Sequence, residues 1–237
     1  MIDQKTYYDK KADTFENGLF LKRSNRNHLK KIKKICELLN LNDLSRPNSS
    51  ILEVGVGTGI HAKYLLMQYP DIRYTGIDIS KGMINKAKKK LSEVNKVNNI
   101  TLLVANGERL PYKNNSFDAA YISGSLHHFA NPRLGLIELV RVVRRGIVIM
   151  EPNWLFPTNF FAGCTKKVER NILKMSKRNF RKWASDSDID NTKINNFIYT
   201  PPVLMKILVF VKNKTFMLNC VTYLNFSKKI MSHLMLL

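Results

Sequence analysis

Residues 51 to 59 read Ile-Leu-Glu-Val-Gly-Val-Gly-Thr-Gly, a short apolar run that passes straight into a turn with glycine at every second position. A strand that reverses into a helix beside a ligand needs positive φ angles and no Cβ in the way, and Gly55, Gly57 and Gly59 meet both demands. A helix starting near Ile60 then aims its N-terminal amides and the positive end of its dipole at whatever the turn holds. Nineteen residues past the last glycine, Asp78 ends a second apolar run. An acid there is placed to accept hydrogen bonds from two ribose hydroxyls. These features describe a nucleoside-bearing ligand lying across the ends of two parallel strands.

Spacing separates the candidate ligands. The dinucleotide pattern G-x-G-x-x-G requires its third glycine at position 60, which is Ile60 here. The turn is instead G-x-G-x-G, led by an acid, Glu53. A pyrophosphate gains nothing from a carboxylate, whereas the sulfonium and ammonium of S-adenosyl-L-methionine do.

Further segments follow in order: Tyr74-Thr-Gly-Ile-Asp78-Ile-Ser80, Val104-Ala-Asn106-Gly107-Glu108-Arg-Leu110-Pro111-Tyr112, Ser116-Phe117-Asp118 through Ser123-Gly-Ser-Leu126-His127-His128, and Glu138-Leu-Val-Arg141 followed by Gly146-Ile-Val-Ile-Met-Glu-Pro152. With the glycine turn, they make residues 51 to 151 resemble the core of a class I S-adenosylmethionine-dependent methyltransferase of the small-molecule type. The resemblance implies an α/β, Rossmann-like three-layer sandwich around a seven-stranded, mostly parallel sheet whose last strand is antiparallel. It also implies a cofactor site built from Glu53, Gly55, Gly57, Gly59, Asp78, Asn106, Gly107, Glu108 and Ser123, with Tyr8 reaching the methionine end. Two departures stand out. Asn106 replaces the family's usual Asp beside the adenine. Arg144-Arg145-Gly146 is two residues shorter than the usual Pro-Gly-Gly element before strand five.

The 237 residues suit one α/β domain with extensions. Three parts are expected: an N-terminal helical cap (1–48), the cofactor-binding core (49–152) and a variable C-terminal region completing the sheet and acceptor pocket (153–237). Helical periodicity over 25–39 predicts a helix covering the sheet. Ahead of it, Tyr7, Tyr8 and Phe15 either fold over the cofactor or anchor a helix. Strands are expected near 51–54, 72–77, 100–104, 117–122 and 146–150, with helices near 60–68, 81–91 and 132–143. Such alternation implies βαβ units and a parallel sheet. Beyond Glu151 the pattern loosens. An aromatic loop or short helix at 153–165 carries Trp154, Phe156 and Phe160. A basic helix at 168–184 is expected next, then a sixth strand at 193–199. An apolar helix opens at Pro201-Pro202, and a seventh strand lies at 216–226.

Composition sets outer bounds. No apolar run reaches about 18 residues, so a transmembrane segment is not expected, and Met-Ile-Asp-Gln-Lys is no apolar leader. Cys36, Cys164 and Cys220 lie far apart without metal-ligand spacing. No metal site is therefore expected, and a reduced, cytoplasmic setting is. Lys and Arg total 39 against 18 Asp and Glu, a net charge of +21. The excess is present in each of the segments 1–50, 51–150 and 151–237. It fits either an anionic partner such as RNA or a phospholipid surface, or lysine-rich solvated faces.

Methyl transfer from a sulfonium is an in-line displacement with an activated leaving group, so the protein mainly supplies proximity and alignment. His127 and His128 leave strand four beside the expected methyl position and are the candidate bases, should the acceptor have to lose a proton. Glu53 is read as bonding the cofactor's ammonium or the glycine-turn amides, Asp118 as structural and Glu108 as cofactor-side or merely surface. The Asn/Asp-Pro-Pro-Tyr/Phe grip for a nucleobase amino group is absent after strand four, and no cysteine pair serves cytosine chemistry. The acceptor expected is a small or lipid-linked molecule. An RNA-binding or RNA-modifying relative and a catalytically inactive cofactor binder are the alternatives. Val203, Leu204, Ile207, Leu208, Phe210 and Val211 between lysines read as a helix that packs in the core or lies on an anionic membrane.

Overall fold

A computed structural model gives the fold and describes residues 4–15, 25–39, 49–94, 99–152, 154, 157–185, 195–200 and 205–211. Five parallel strands form its centre: β1 (Ser50–Val54), β2 (Arg73–Asp78), β3 (Ile100–Val104), β4 (Phe117–Ser123) and β5 (Val143–Pro152). The helices are α1 (Gln4–Lys11), α2 (Asn25–Leu38), α3 (Ile60–Gln68), α4 (Lys81–Leu91), α5 (Pro132–Val142), α6 (Pro157–Thr165) and α7 (Lys177–Ser185). Strands β6 (Asn195–Thr200) and β7 (Met205–Val211) continue the sheet beyond β5. The full order is β3-β2-β1-β4-β5-β7-β6, with β7 antiparallel to both neighbours.

Alternation along the strands divides the core into two layers. Ile51, Tyr74, Tyr121, Val148 and Met150 face one way and pack with Ile32 and Ile35 of α2 and Leu65 of α3. Leu52, Val54, Ala120, Ile122 and Ile149 face the other way, against Leu136 and Leu139 of α5 and Phe180 of α7. A period of two in the strands and one apolar stripe per helix produce this three-layer arrangement. The chain leaves β1 outward through β2 and β3, then returns across the sheet to β4. The switch in strand order therefore lies between β1 and β4, where open α/β sheets place their ligands.

Helix α5 ends at Val142 and β5 begins at Val143, so no loop joins them. This accounts for the short Arg144–Gly146 segment, which begins a ten-residue strand rather than a turn. Both arginines reach Asp118 at the start of β4: Arg144 Nη2 at 2.9 Å and Arg145 Nε at 3.6 Å. The other oxygen of Asp118 accepts from the Ser50 amide and hydroxyl, each at 2.9 Å. The structural reading of Asp118 matches this geometry.

The C-terminal third departs from the sequence expectations. The apolar helix expected after Pro202 is instead β7 over 205–211. Met-Lys-Ile-Leu-Val-Phe-Val is a short run, apolar but for Lys206, which periodicity cannot assign. The open edge of β5, pairing Gly146↔Val211 through Pro152↔Met205, decides for a strand. The membrane-surface helix thereby loses its element. The strand expected at 216–226 lies outside the described residues. The single basic helix expected at 168–184 is broken into a 3₁₀ segment, Lys167–Lys174, and α7. Ser176 Oγ accepts from the Asn179 amide at 3.2 Å and starts a new helix there. Among the described residues no helix is long and apolar enough to cross a membrane.

Candidate active site

All three glycines of the turn have positive φ: Gly55 at 75°, Gly57 at 54° and Gly59 at 79°. They differ in what a side chain would meet. A Cβ on Gly55 would fall 2.2 Å from Ser125 Oγ, and one on Gly59 3.1 Å from the Ala87 backbone, whereas one on Gly57 meets nothing within 4 Å. Only Gly57 therefore keeps its missing side chain open toward a ligand. The Gly57 amide donates to Asp78 Oδ2 at 2.9 Å, and the Ser80 amide to Asp78 Oδ1 at 2.9 Å. Each carboxylate oxygen has one amide and retains a lone pair, as a ribose diol requires. Burial pushes the Asp78 pKa up, against the pull of those amides.

Helix α1 closes over this end of β2. Asp9 accepts from Ser80 Oγ at 2.6 Å and from the Gly82 amide at 3.0 Å. Ser80 Oγ in turn caps α4 by accepting from the Met83 amide. This docking brings Tyr8 inside, where its ring meets the edge of His128 at 5.1 Å and Phe15 at 6.1 Å. Burial, and after it Glu169, drive the Tyr8 phenol far above its ordinary pKa. Of the two sequence readings of this segment, the packing contacts of Tyr8 with Phe15 and His128 match the helix anchor.

On the adenine-side loop, Asn106 Oδ1 accepts from the Glu108 amide at 2.9 Å, and Glu108 Oε1 from the Asn131 amide at 2.8 Å. Asn106 keeps only its amide donors uncommitted by these bonds. Gly107 is glycine because the Phe129 ring lies 2.5 Å from where its Cβ would sit. Arg141 holds this loop through the carbonyls of Tyr112 at 2.6 Å and Leu110 at 3.0 Å. At the end of β4, Ser123 Oγ is buried without a hydrogen-bond partner. Such a group calls for a ligand or water.

Glu53 corrects an expectation. It is 1% exposed, and its Oε2 accepts from the hydroxyls of Tyr74 and, at 2.6 Å, Tyr121. The turn amides go elsewhere, those of Gly55 and Val56 to the Ile77 carbonyl. Burial raises the Glu53 pKa to about 8 despite the two phenol donors. The group therefore holds a proton more readily than a free glutamate does, and its Oε1 lies 3.9 Å from His61 Nδ1. A raised carboxyl pKa means that the folded chain holds a proton which the unfolded chain releases. Stability attributable to Glu53 is greatest below about pH 4.5 and falls as pH rises toward 8. Glu53→Gln should therefore flatten the decline of the melting midpoint between those values and leave S-adenosylhomocysteine affinity within about threefold. Thermal melts across pH with titration calorimetry check this. A loss of binding would restore Glu53 as a ligand-facing charge.

The two histidines have separate environments. His127, 4% exposed, donates from Nδ1 to Glu151 Oε2, and its Nε2 lies 3.2 Å from Glu169 Oε2. Burial alone would lower its pKa, but Glu151 and then Glu169 outweigh it and raise the value to about 9. His128 Nδ1 donates to the Val168 carbonyl at 3.1 Å. Burial and the neighbouring His127 lower its pKa to about 3. The two rings are thus shifted in opposite directions, His127 toward the protonated form and His128 toward the neutral one.

Several functional groups were not foreseen. Glu151, fully buried at the end of β5, accepts from the amides of Ser125 at 3.2 Å, Leu126 at 2.9 Å and His127 at 3.3 Å. It fixes the loop that leaves β4. Its signal was an acid ending an apolar parallel strand, at the sheet's ligand-binding edge. Glu169 comes from the 3₁₀ segment beyond α6 and left no local signal. Tyr121 sits directly opposite Glu53 in the β1–β4 register. Of the aromatic segment, Phe160 is exposed, Trp154 is half-buried, and Phe156 lies outside the described residues.

The sequence profile of the family described as a methyltransferase domain matches residues 52–150. A demethylmenaquinone methyltransferase of Porphyromonas gingivalis is 32% identical over 112 residues, which are 47% of this chain and 46% of that protein. A ubiquinone/menaquinone biosynthesis C-methyltransferase of Rickettsia prowazekii is 37% identical over 101 residues, 41% of each protein. The chain thus spans less than half the length of these curated relatives. Among solved structures, magnesium protoporphyrin IX methyltransferase from Synechocystis PCC 6803 with bound SAM superposes with a TM-score of 0.66 at 16% identity. That match covers 90% of this chain and 99% of the other, and it speaks to the fold alone. Residues 52–150 are thus similar in sequence to the methyltransferase-domain family, and the chain shares its Rossmann-like α/β fold with a solved methyltransferase.

Proposed function

We propose that this chain binds S-adenosylmethionine across the carboxyl ends of β1, β2 and β4 and transfers its methyl group to a small-molecule or lipid-linked acceptor. The observation that carries the reading is the pairing of Gly57 with Asp78. One glycine of the turn opens onto free space while its amide orients an acid that retains two lone pairs for a ribose diol. In this reading the adenosyl group lies over Gly57, with Asp78 on the ribose and Asn106, Gly107 and Glu108 beside the adenine. Ser123 and Tyr8 border the methionine end. The acceptor's nucleophile attacks the methyl carbon in line, and the sulfur leaves as a neutral thioether. Chain residues contribute alignment and exclusion of water, and a general base is not required of them. Relatives named for demethylmenaquinone and for ubiquinone/menaquinone biosynthesis support a small, lipid-soluble acceptor.

Titration calorimetry with S-adenosylhomocysteine tests the donor. One site per chain is expected, and Asp78→Ala should weaken it about 100-fold, the worth of two hydrogen bonds to a charged acceptor. No binding by the parent chain would end the reading. Transfer of labelled methyl from S-adenosylmethionine to quinone precursors, compared with water-soluble phenols, tests the acceptor.

A further inference from the structure

The loop after β4 carries a second assembly that methyl transfer does not use. A ring nitrogen of His127, one of His128 and a carboxylate oxygen of Glu169 all lie within 4.8 Å of one another. Each histidine has its Nδ1 pinned: His127 to Glu151, His128 to the Val168 carbonyl. That leaves the Nε2 of each ring as its remaining nitrogen. A metal-bound imidazole is ordinarily oriented in this way, by a carboxylate or carbonyl on its far nitrogen. His127 Nε2 and Glu169 Oε2 are 3.2 Å apart. Two ligands on a tetrahedral ion with bonds near 2.0–2.1 Å stand about 3.3 Å apart, so this pair is already at ligand spacing. Glu151 and Glu169 also bring two carboxylates against a single strongly engaged imidazole, a charge balance that a divalent cation corrects. Tyr8, against the edge of His128, walls one side.

We propose that His127, His128 and Glu169 form a binding site for a first-row divalent transition-metal ion of the zinc type, with Glu151 and the Val168 carbonyl holding the two imidazoles in place. Two imidazoles and a carboxylate select an ion of this softness over magnesium or calcium, which take oxygen ligands. Three protein ligands leave a fourth coordination position for a water or an oxygen of a bound acceptor. Binding displaces the proton shared between His127 Nε2 and Glu169, so one proton is released as the ion enters. The site stands independently of the methyl-transfer reading, because its test needs no turnover.

Cobalt(II) serves as the probe because its visible absorption reports coordination geometry. The full chain, stripped with EDTA, is expected to take up one cobalt per chain with intense tetrahedral bands, and zinc should bleach them. Glu169→Gln and His128→Asn should each weaken cobalt binding about tenfold or more, and together should abolish the bands. Both sites are less deeply embedded than His127, and circular dichroism confirms that each variant is folded. Absence of one-to-one binding by the parent chain would overturn the proposal. Bands that persist in the folded double variant would do the same, by placing the metal elsewhere.

Discussion

Glu151→Ala is expected to lower the melting midpoint by roughly 10 °C, more than any other single carboxylate replacement in the core. The substitution removes the acceptor of three loop amides and the partner of a buried charged imidazole at once. Breaking one side of a buried pair costs about 3–5 kcal/mol, because the other side keeps its desolvation penalty without compensation. In a domain of this size each kcal/mol corresponds to about 2–4 °C. Glu169→Gln is the matched control: its side chain is one-quarter exposed and touches one ring nitrogen of the same histidine. It should move the midpoint by only a few degrees. Thermal melts of both variants at neutral pH decide the matter. Equal, small effects would mean that the loop after β4 is held by its packing and not by Glu151.

The second large effect separates glycines that look equivalent in the sequence. Gly55→Ala and Gly57→Ala place the same methyl on backbones of similar positive φ, so the conformational cost of about 1–2 kcal/mol is common to both. The difference lies in the neighbours. At 55 the new methyl runs into Ser125, whose hydroxyl bonds the Val54 carbonyl, and the junction of β1 with the β4 exit loop must open. At 57 it enters empty space. Gly55→Ala should therefore lose stability well beyond the shared cost. Gly57→Ala should lose only the shared cost, yet bind S-adenosylhomocysteine about tenfold more weakly or worse. Melts and calorimetry on the pair give the answer directly. Undiminished affinity in Gly57→Ala would move the nucleoside off the turn.

What could be read from the sequence, and what could not, follows from the range of the interactions. The glycine turn, Asp78 and the strand–helix alternation from 51 to 151 are local patterns, each complete within a few residues, and the structure places them at one end of one sheet. Glu53 was legible as an acid at the right place but not as a buried one with a raised pKa. Its state is set by burial within the folded sheet, which outweighs the two phenol donors Tyr74 and Tyr121, 21 and 68 residues away. The histidine pair was found, but its chemistry was not, because that is set by Glu151 and Glu169 on two later elements. The run at 205–211 was assigned the wrong element for a related reason. Seven residues, six of them apolar, fit a helix or a strand equally well, and only the vacant edge of β5 chooses between them.

The His127 contact to Glu169 bears on how such a chain could be recombined. The glycine turn and Asp78 are held by residues before 152, which suggests a self-sufficient cofactor module onto which any acceptor-specific tail could be spliced. Glu169 breaks that modularity. A chimera joined at Pro152 would leave His127 with Glu151 alone and without the acid on its Nε2, unless the incoming tail happened to carry one at the same place. A junction moved past Lys174 keeps the 3₁₀ segment with its histidine, so the natural unit for transplantation runs some twenty residues beyond the end of the recognisable domain.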